Sequence, residues 1–124
     1  MSTTADHTAL VAAIRLALGR EHDLVLHLNA VPVVRTVRGK SIFTARPGLG
    51  TGTLDIVGFL TLEIAGRRFA QWFEIDAKTG DAEASKEQRM RIALIRKRGG
   101  FACLVHSVDE ARAALERARR GENE

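Results

Sequence analysis

A predicted β-hairpin in the middle of the chain places the strongest constraint on its fold. Residues 55–64 and 68–77 are two β-rich stretches, and Ala65-Gly66-Arg67 between them is typical of a hairpin turn. The preceding segment, residues 46–53, carries too much Gly and Thr for regular structure, which indicates an open loop that another backbone can approach closely. This loop leads directly into the first acidic residue of the hairpin, Asp55.

The turn decides which residues of the hairpin face one another. If Gly66-Arg67 forms a two-residue turn, Asp55 faces Lys78, and if Ala65-Gly66 forms it, Asp55 faces Asp76. Side chains alternate between the two faces of a strand, so Asp55, Asp76 and Lys78 share one face in either register. Both registers therefore predict two carboxylates and an ammonium group close together.

The N-terminal part of the chain is predicted from apolar periodicity. Apolar residues at helical spacing indicate a helix over residues 5–19, with Thr3 or Thr4 as its N-cap. Alternating apolar residues and a turn signal then predict an early antiparallel sheet, with strands over residues 23–29, 32–37 and 41–45.

Two capping boxes organise the C-terminal part of the chain. Ser85-Lys86-Glu87-Gln88 opens a helix that Gly99-Gly100 ends, and Ser107-Val108-Asp109-Glu110 opens another. The apolar run 101–106 between them is suited to a buried strand. A strand, helix, strand, helix order implies a crossover, so the predicted fold class is α/β (α+β), a mixed β-sheet flanked by helices.

Length and composition are those of one ordinary globular domain. The chain has 124 residues, 45% hydrophobic and 27% charged, which gives room for a single core but not for a large multi-site enzyme. We expect a domain over residues 1–120 and a polar tail over residues 121–124. A single cysteine, Cys103, excludes an internal disulfide and a Cys-rich zinc site. Apolar runs too short for a membrane span, and an N-terminus without a leader pattern, predict a cytoplasmic protein.

The distribution of charge favours a polyanionic partner. Lys and Arg number 19 against 15 for Asp and Glu, a formal net charge of +4. Residues 86–98 hold six cations and one acid, whereas residues 74–83 are net acidic. An acidic pocket beside a basic helix suits a nuclease, because carboxylates bind a metal ion and cations bind phosphates. The alternative is a basic helix whose outer face is only solvated. The candidate DNA contacts are Arg46, Lys86, Arg89 and Arg96.

Asp76-Ala77-Lys78 carries the candidate chemistry together with Asp55. The two aspartates can ligate Mg²⁺ or Mn²⁺ with a main-chain carbonyl, for which Ala77 is the candidate, while Lys78 orients and helps deprotonate the attacking water. An Asp-x-Lys tripeptide on an exposed strand is more often a surface ion pair. Here Gly-rich segments flank the tripeptide, and the hairpin places the second acid on the same face.

These motifs, in this order, resemble the VRR-NUC family of the PD-(D/E)xK nuclease superfamily, which includes small stand-alone proteins of phages and prophages. The resemblance covers most of the chain and rests on linked segments: Gly52-Thr53-Leu54-Asp55-Ile56-Val57-Gly58, Glu74-Ile75-Asp76-Ala77-Lys78-Thr79-Gly80, Ser85-Lys86-Glu87-Gln88, Gly99-Gly100 and Ser107-Val108-Asp109-Glu110.

The resemblance implies a restriction-endonuclease-like core and metal-dependent hydrolysis of DNA phosphodiesters, often at branched structures such as Holliday junctions or flaps. It assigns the first acid to Asp55, the second to Asp76, the lysine to Lys78 and a supporting helix glutamine to Gln88. Stand-alone members are similar to homodimeric junction-resolving enzymes, so we expect a homodimer with branched DNA as its partner, in a bacterial or phage-infected cell. The alternative is a catalytically weakened or inactive DNA-binding protein on the same fold.

Three positions depart from the family pattern. Leu54 replaces a proline, and Asp76 replaces the more usual Glu. Relatives usually carry a Glu early in the first helix, where this chain has His7 with Asp6 beside it. We expect His7, Asp6 or Glu74 to compensate for that missing ligand, and among them we favour Glu74.

Overall fold

The computed structural model describes residues 3–29, 34–38, 41–45 and 52–124. Within these ranges the chain forms three helices and six strands, and no helix is long and apolar enough to cross a membrane. In chain order the elements are α1 (Thr4–Leu18), β1 (Leu24–Leu28), β2 (Val34–Arg38), β3 (Ser41–Ala45), β4 (Ile56–Ile64), β5 (Arg67–Ala77), α2 (Lys86–Lys97), β6 (Phe101–Val105) and α3 (Val108–Arg119).

The main sheet has four strands in the order β1-β4-β5-β6. The β1–β4 and β4–β5 pairs are antiparallel, whereas β5 and β6 are parallel because α2 forms the crossover between them. The predicted mixed sheet flanked by helices is therefore confirmed. The early strands are antiparallel as expected, but they divide: β1 joins β4 in the main sheet, and β2 pairs with β3 in a separate two-stranded sheet.

The hairpin adopts the register in which Ala65-Gly66 is the turn. Ile64 pairs with Arg67, and Ile56 pairs with Ile75 at the other end. Both turn residues have positive φ, 52° at Ala65 and 77° at Gly66, as two-residue turns that match the twist of the strands require. One residue beyond the Ile56–Ile75 pair, this register places Asp55 opposite Asp76, which is the second of the two alternatives that the sequence allows.

Hydroxyl side chains cap each helix at its N-terminus. Thr3, not Thr4, caps α1, and it forms a capping box with Asp6. The predicted box of Ser85 and Gln88 opens α2, with both reciprocal hydrogen bonds present. Ser107 caps α3 by accepting a hydrogen bond from the third helical N–H, but the predicted box is only half formed, because the Glu110 carboxylate pairs with His106 Nδ1 over 3.2 Å. These caps fix where each helix begins and therefore which first-turn side chains reach the sheet.

Two apolar clusters cover the two faces of the sheet. The larger cluster lies between the sheet and the helices α1 and α3, and it includes Phe73 and Phe101, whose rings stack with centroids 5.2 Å apart. The smaller cluster lies under α2 around Leu54 and Ile95. Because side chains alternate along β5, Phe73 and its odd-numbered neighbours face the larger cluster. The even-numbered acids of β5 therefore point towards α2.

The polar C-terminal residues lie against β6. The backbone N–H of Ala102 donates to the carbonyl of Asn123 over 3.3 Å, and Glu124 pairs with Arg96 over 2.9 Å. The segment predicted as a tail thus contacts the edge strand of the main sheet.

Candidate active site

Asp55 and Asp76 meet where β4 begins and β5 ends. Asp55 precedes β4 by one residue, and its backbone N–H donates to Asp76 Oδ1 over 3.1 Å. In return, the N–H of Ala77 donates to Asp55 Oδ2 over 3.0 Å. These two bonds lock the carboxylates together at the end of the hairpin. The Asp76 side chain is 1% exposed and that of Asp55 is 26% exposed, so the pair spans the boundary between core and solvent.

Asp76 is held in an environment that opposes its charge. Burial is the main cause that raises the pKa of Asp76, and the nearby Asp55 carboxylate raises it further, while Lys78 acts in the opposite direction. Its Oδ2 atom is buried without a hydrogen bond of acceptable geometry from the described residues. Lys78 Nζ lies 2.8 Å from that oxygen as an ion pair. The Lys78 ammonium partly offsets the desolvation of Asp76 and its repulsion with Asp55, and a divalent cation bound by the two carboxylates would offset both further.

Lys78 connects the acids to α2. Its backbone N–H donates to Val105 O over 2.9 Å, and its ammonium donates to Gln88 Oε1 over 2.9 Å. The same Gln88 oxygen accepts the N–H of Ser85 in the capping box. Gln88 therefore has two functions, because one carbonyl oxygen both caps α2 and holds Lys78 against the aspartates.

His7 reaches the acids from the first turn of α1. Its Nε2 atom lies 2.9 Å from Asp55 Oδ2, and its side chain is 39% exposed. The neighbouring Asp6 instead binds the backbone N–H of Thr3 in the capping box, over 2.8 Å. Of the two first-helix candidates, the structure brings His7 to the aspartates and places Asp6 at the helix cap.

Glu74 has a different set of partners from Asp76, although both lie on the same face of β5. Its carboxylate is fully buried and forms hydrogen bonds with two guanidinium nitrogens of Arg91, with Trp72 Nε1 and with the N–H of Leu54. These bonds occupy both of its oxygens with protein donors. The geometry thus favours a structural ion pair for Glu74 and leaves His7 as the better placed compensating ligand.

The sequence pattern alone does not distinguish Arg91 from the other cations of the basic helix. Its guanidinium joins α2 to β5 through Glu74, at 2.6 Å between Nη2 and Oε2. A usable signal was present, because an acid on the inner face of a buried strand requires a cation or hydrogen-bond donors. Glu74 lies two residues before Asp76, so alternation along the strand predicts that both side chains point to the same face. The choice of Arg91 as its partner depends on how α2 packs against β5.

The candidate DNA contacts on α2 differ in exposure and in how strongly the fold engages them. Lys86 and Arg89 are exposed at the start of the helix, and Arg89 donates to Ala84 O over 2.7 Å. Arg96 donates twice to the carbonyl of Ala102 and also pairs with Glu124, so part of its charge serves the fold. Arg46 lies outside the described residues. Between α2 and β6 is an open cavity of about 580 Å³, lined in part by Arg89 and Arg96.

The donor set fits a divalent cation that keeps several waters. Among the described residues, no three side chains of His, Cys, Asp or Glu are arranged as a complete metal cage. Magnesium and manganese sites commonly use one or two carboxylates and complete their shells with water and substrate phosphates. Asp55 and Asp76 supply such a pair, and the fit is supported by Asp76 Oδ2, a buried oxygen that has an ion pair with Lys78 but no hydrogen bond of good geometry from the described residues.

No protein-family model matches the chain, and comparison with curated proteins also finds no match.

Proposed function

We propose that this protein is a metal-dependent endodeoxyribonuclease of the VRR-NUC type, which hydrolyses phosphodiester bonds in branched DNA such as Holliday junctions or flaps. The observation that carries the proposal is the convergence of Asp55, Asp76, Lys78 and Gln88 from the ends of two strands and a helix, with the buried Asp76 carboxylate held between Asp55 and the Lys78 ammonium.

Each residue has a distinct role in the proposed reaction. Asp55 and Asp76, with the carbonyl of Ala77, would hold Mg²⁺ or Mn²⁺, which when bound supplies charge stabilisation at the phosphate. Lys78 would bind the attacking water. Its ammonium group has three N–H donors, and two of them point to Asp76 and Gln88. These two contacts fix the direction of the third donor, which is available for the water. Gln88 is a positioning residue that acts through Lys78.

Exposed cations on α2 support a DNA substrate. Lys86 and Arg89 lie in the first turn of the helix that also carries Gln88, so phosphates bound there are close to Lys78. Arg46, which lies outside the described residues, stays a candidate contact on the basis of the sequence alone. A homodimer provides two reaction centres related by a two-fold axis, which symmetric incision of both strands requires.

A second candidate, an inactive DNA-binding protein on the same fold, is favoured by one contact. His7 Nε2 lies within hydrogen-bond distance of Asp55 Oδ2, an atom that the proposed reaction assigns to the metal. If this contact persisted with metal present, the first acid would be blocked and only DNA binding would remain.

An incision assay separates the two candidates. The purified protein is incubated with a labelled four-way junction, a flap and a linear duplex, with Mg²⁺, with Mn²⁺ and with chelator. We expect incision of a branched substrate that chelator abolishes, and salt-sensitive binding to all three substrates. Salt-sensitive binding without incision under any metal condition would support the second candidate and overturn the nuclease.

A further inference from the structure

Helix α2 covers only part of the sheet face towards which it packs. Glu74 and Asp76 point towards the helix and are buried. Further along the hairpin, the side chains that point to the same side are exposed, and they include Thr61, Ala70 and Trp72. The part of the chain that the structure describes therefore leaves this region of the sheet open.

A row of three apolar side chains crosses the open region. Val25, Phe59 and Trp72 are direct neighbours on β1, β4 and β5, and they are 41%, 39% and 41% exposed. Adjacent strands are about 4.8 Å apart, so the two aromatic side chains form one surface. The indole N–H of Trp72 donates to the buried Glu74 carboxylate, which fixes the ring. Scattered apolar residues need no explanation, whereas contiguous ones mark candidate binding surfaces.

Trp72 also forms one wall of a cavity between β5 and the C-terminal end of α2. The cavity has a volume of about 250 Å³. Leu94 and Ile95 supply further apolar walls, and Arg91 and Arg98 supply two guanidinium groups. Pockets for drug-sized ligands have volumes of about 300–1,000 Å³. This cavity therefore has room for one flat ring system, but not for a larger cofactor.

The two guanidinium groups of the cavity differ in their partners. Arg91 pairs with Glu74 over 2.6 Å, so its charge is balanced inside the protein. Arg98 is exposed, and no acid among the described residues forms an ion pair with it. An aromatic wall beside such a cation suits a nucleotide, because bases stack on aromatic rings and phosphates bind cations.

The size of the apolar row also favours a nucleotide over a second protein. Phe and Trp side chains have surfaces of about 150–250 Å². The exposure of Phe59 and Trp72 therefore leaves about 100 Å² or less on each ring. A stable protein interface buries about 800 Å² on each partner. The row is too small to hold a protein by itself, but it is large enough for one or two bases.

We propose that the cavity and the apolar row bind unpaired bases of a single DNA strand. One base stacks on Trp72 beside Leu94, Arg98 binds a phosphate of the same strand, and Phe59 contacts the next base. This inference rests on the proposed function and gives a physical basis for the choice of branched DNA. A duplex keeps its bases stacked inside, whereas a flap or an open branch point exposes them.

The distance from the acids is compatible with this use. Trp72 lies four residues before Asp76 on the same face of β5, which corresponds to about 13 Å along the strand. A strand of B-DNA rises about 3.4 Å per nucleotide. The bound base would therefore lie roughly four nucleotides from a phosphate at Asp76.

Fluorescence tests the site directly, because Trp72 is the only tryptophan of the chain. The protein is titrated in chelator with a single strand of thymidines, with an abasic strand of the same length and with a duplex. We expect saturable quenching by the thymidine strand, since a stacked base quenches the indole, and little quenching by the other two. The absence of saturable quenching by the thymidine strand would overturn the inference, as it would if another segment of this chain or a second copy covered the row.

Two aromatic variants separate stacking from general exposure. Phe59→Ala should weaken binding of the thymidine strand about tenfold or more and leave duplex affinity unchanged. Phe69→Ala is the matched control, because Phe69 is 44% exposed on β5 but lies on the opposite face, under Arg67. It should leave both affinities unchanged. Fluorescence anisotropy measures the affinities, and equal effects of the two substitutions on the thymidine strand would contradict the assignment.

A pair of neighbouring cations tests the phosphate contact. Arg98→Ala should weaken binding of the thymidine strand and of the abasic strand more than Lys97→Ala does, because Arg98 lines the cavity and Lys97 is an exposed cation that does not. Thermal midpoints verify that the variants are folded. Indistinguishable effects of these two substitutions would remove Arg98 from the site.

The outcomes distinguish this inference from the proposed function. Incision of branched DNA by a protein whose tryptophan fluorescence does not respond to the thymidine strand overturns the inference and leaves the nuclease proposal standing. Saturable quenching that Phe59→Ala weakens, without incision of any substrate under any metal condition, supports the single-strand site and overturns the nuclease.

Discussion

At the scale of single residues, the site is built from groups whose environments oppose stability. Asp76 is buried beside another acid, and its nearest cation, Lys78, is shared with Gln88. By contrast, Glu74, two residues earlier, is buried with its hydrogen bonds satisfied. The same strand thus carries one acid whose two oxygens both accept hydrogen bonds and one whose pKa is raised by burial beside a second acid, which is where a function is expected.

Replacement of Asp76 by Asn should stabilise the metal-free protein. Because burial raises the pKa of Asp76 above its ordinary value of 3.8, the folded state binds this proton more tightly than the unfolded state. The contribution of Asp76 to stability therefore falls as pH rises from about 3.8 through the pKa of the folded protein. In chelator at neutral pH, Asp76→Asn should raise the thermal midpoint by a few degrees.

The pH dependence and the metal response provide the controls for that variant. Below pH 3.8 the difference from the wild type should shrink, because both proteins then carry a neutral side chain. Added Mn²⁺ should raise the midpoint of the wild type but not that of Asp76→Asn. An Asp76→Asn protein less stable than the wild type at neutral pH would contradict this account of the residue.

Removal of the Glu74 partner should cost stability without changing metal binding. Arg91→Met leaves the Glu74 carboxylate buried without its ion pair, which we expect to lower the free energy of unfolding by about 3 kcal/mol. Lys97→Met, which removes an exposed cation of the same helix, is the matched control and should change the stability by less than about 0.5 kcal/mol. Urea unfolding measures both. If Arg91→Met lowered the Mn²⁺ affinity of the folded protein, the result would contradict the structural role of Glu74 and indicate that Glu74 contributes to metal binding.

At the scale of elements, α2 joins helix formation to the candidate active site. The capping box that starts the helix uses the same Gln88 oxygen that binds Lys78. Capping residues are recognisable from sequence because the bonds are local, so Ser85 and Gln88 could be predicted without a structure. The contact with Lys78 follows only when the crossover helix packs over β5.

Separate substitutions should resolve the two functions of Gln88. Ser85→Ala removes the cap alone and should cost about 1 kcal/mol of stability with turnover per folded molecule unchanged. Gln88→Ala removes both bonds, so it should cost a similar amount and also lower the cleavage rate. Gln88→Glu preserves the capping box but places a charge beside Lys78. Chemical denaturation and single-turnover cleavage measure the two effects, and equal rates in Gln88→Ala and Ser85→Ala would remove Gln88 from the site.

Local signals also explain which parts of the fold could be predicted. Ala65-Gly66 and strand alternation limited the hairpin to two registers, both of which bring Asp55 near Asp76, and the structure adopts one of them. The pairing of β1 with β4, and not with its neighbour in sequence, is a non-local contact that no turn signal specifies. For the same reason the sequence left His7, Asp6 and Glu74 as alternatives, since the reach of α1 to Asp55 depends on how two distant elements pack.

At the scale of the whole molecule, the chain combines an excess of positive charge with a small acidic centre. The net charge of +4 and a sequence isoelectric point near 10.0 support association with nucleic acid, while the acids lie at the end of the hairpin. The cations of α2 are not equivalent, because Arg96 is tied to Ala102 and Glu124, whereas Lys86 is exposed.

DNA binding should therefore depend on salt and on the exposed cations in a graded way. Lys86→Ala and Arg89→Ala should weaken binding to duplex and junction alike, and each should reduce the slope of affinity against salt by about one unit. Arg96→Ala should reduce the slope less and should lower stability, because its bonds to β6 are lost. Fluorescence anisotropy across a salt series measures the slopes. Slopes unchanged by Lys86→Ala and Arg89→Ala would exclude this face of α2 from DNA contact.

The central claim is that Asp55, Asp76 and Lys78 form one metal-dependent reaction centre for DNA hydrolysis. Single-turnover cleavage of a four-way junction, with protein in excess and Mn²⁺ present, tests it most directly when the wild type is compared with Asp76→Asn. The account predicts junction incision by the wild type and a rate at least about a hundredfold lower in Asp76→Asn, with junction affinity preserved and folding intact. Incision by Asp76→Asn at the wild-type rate would contradict it.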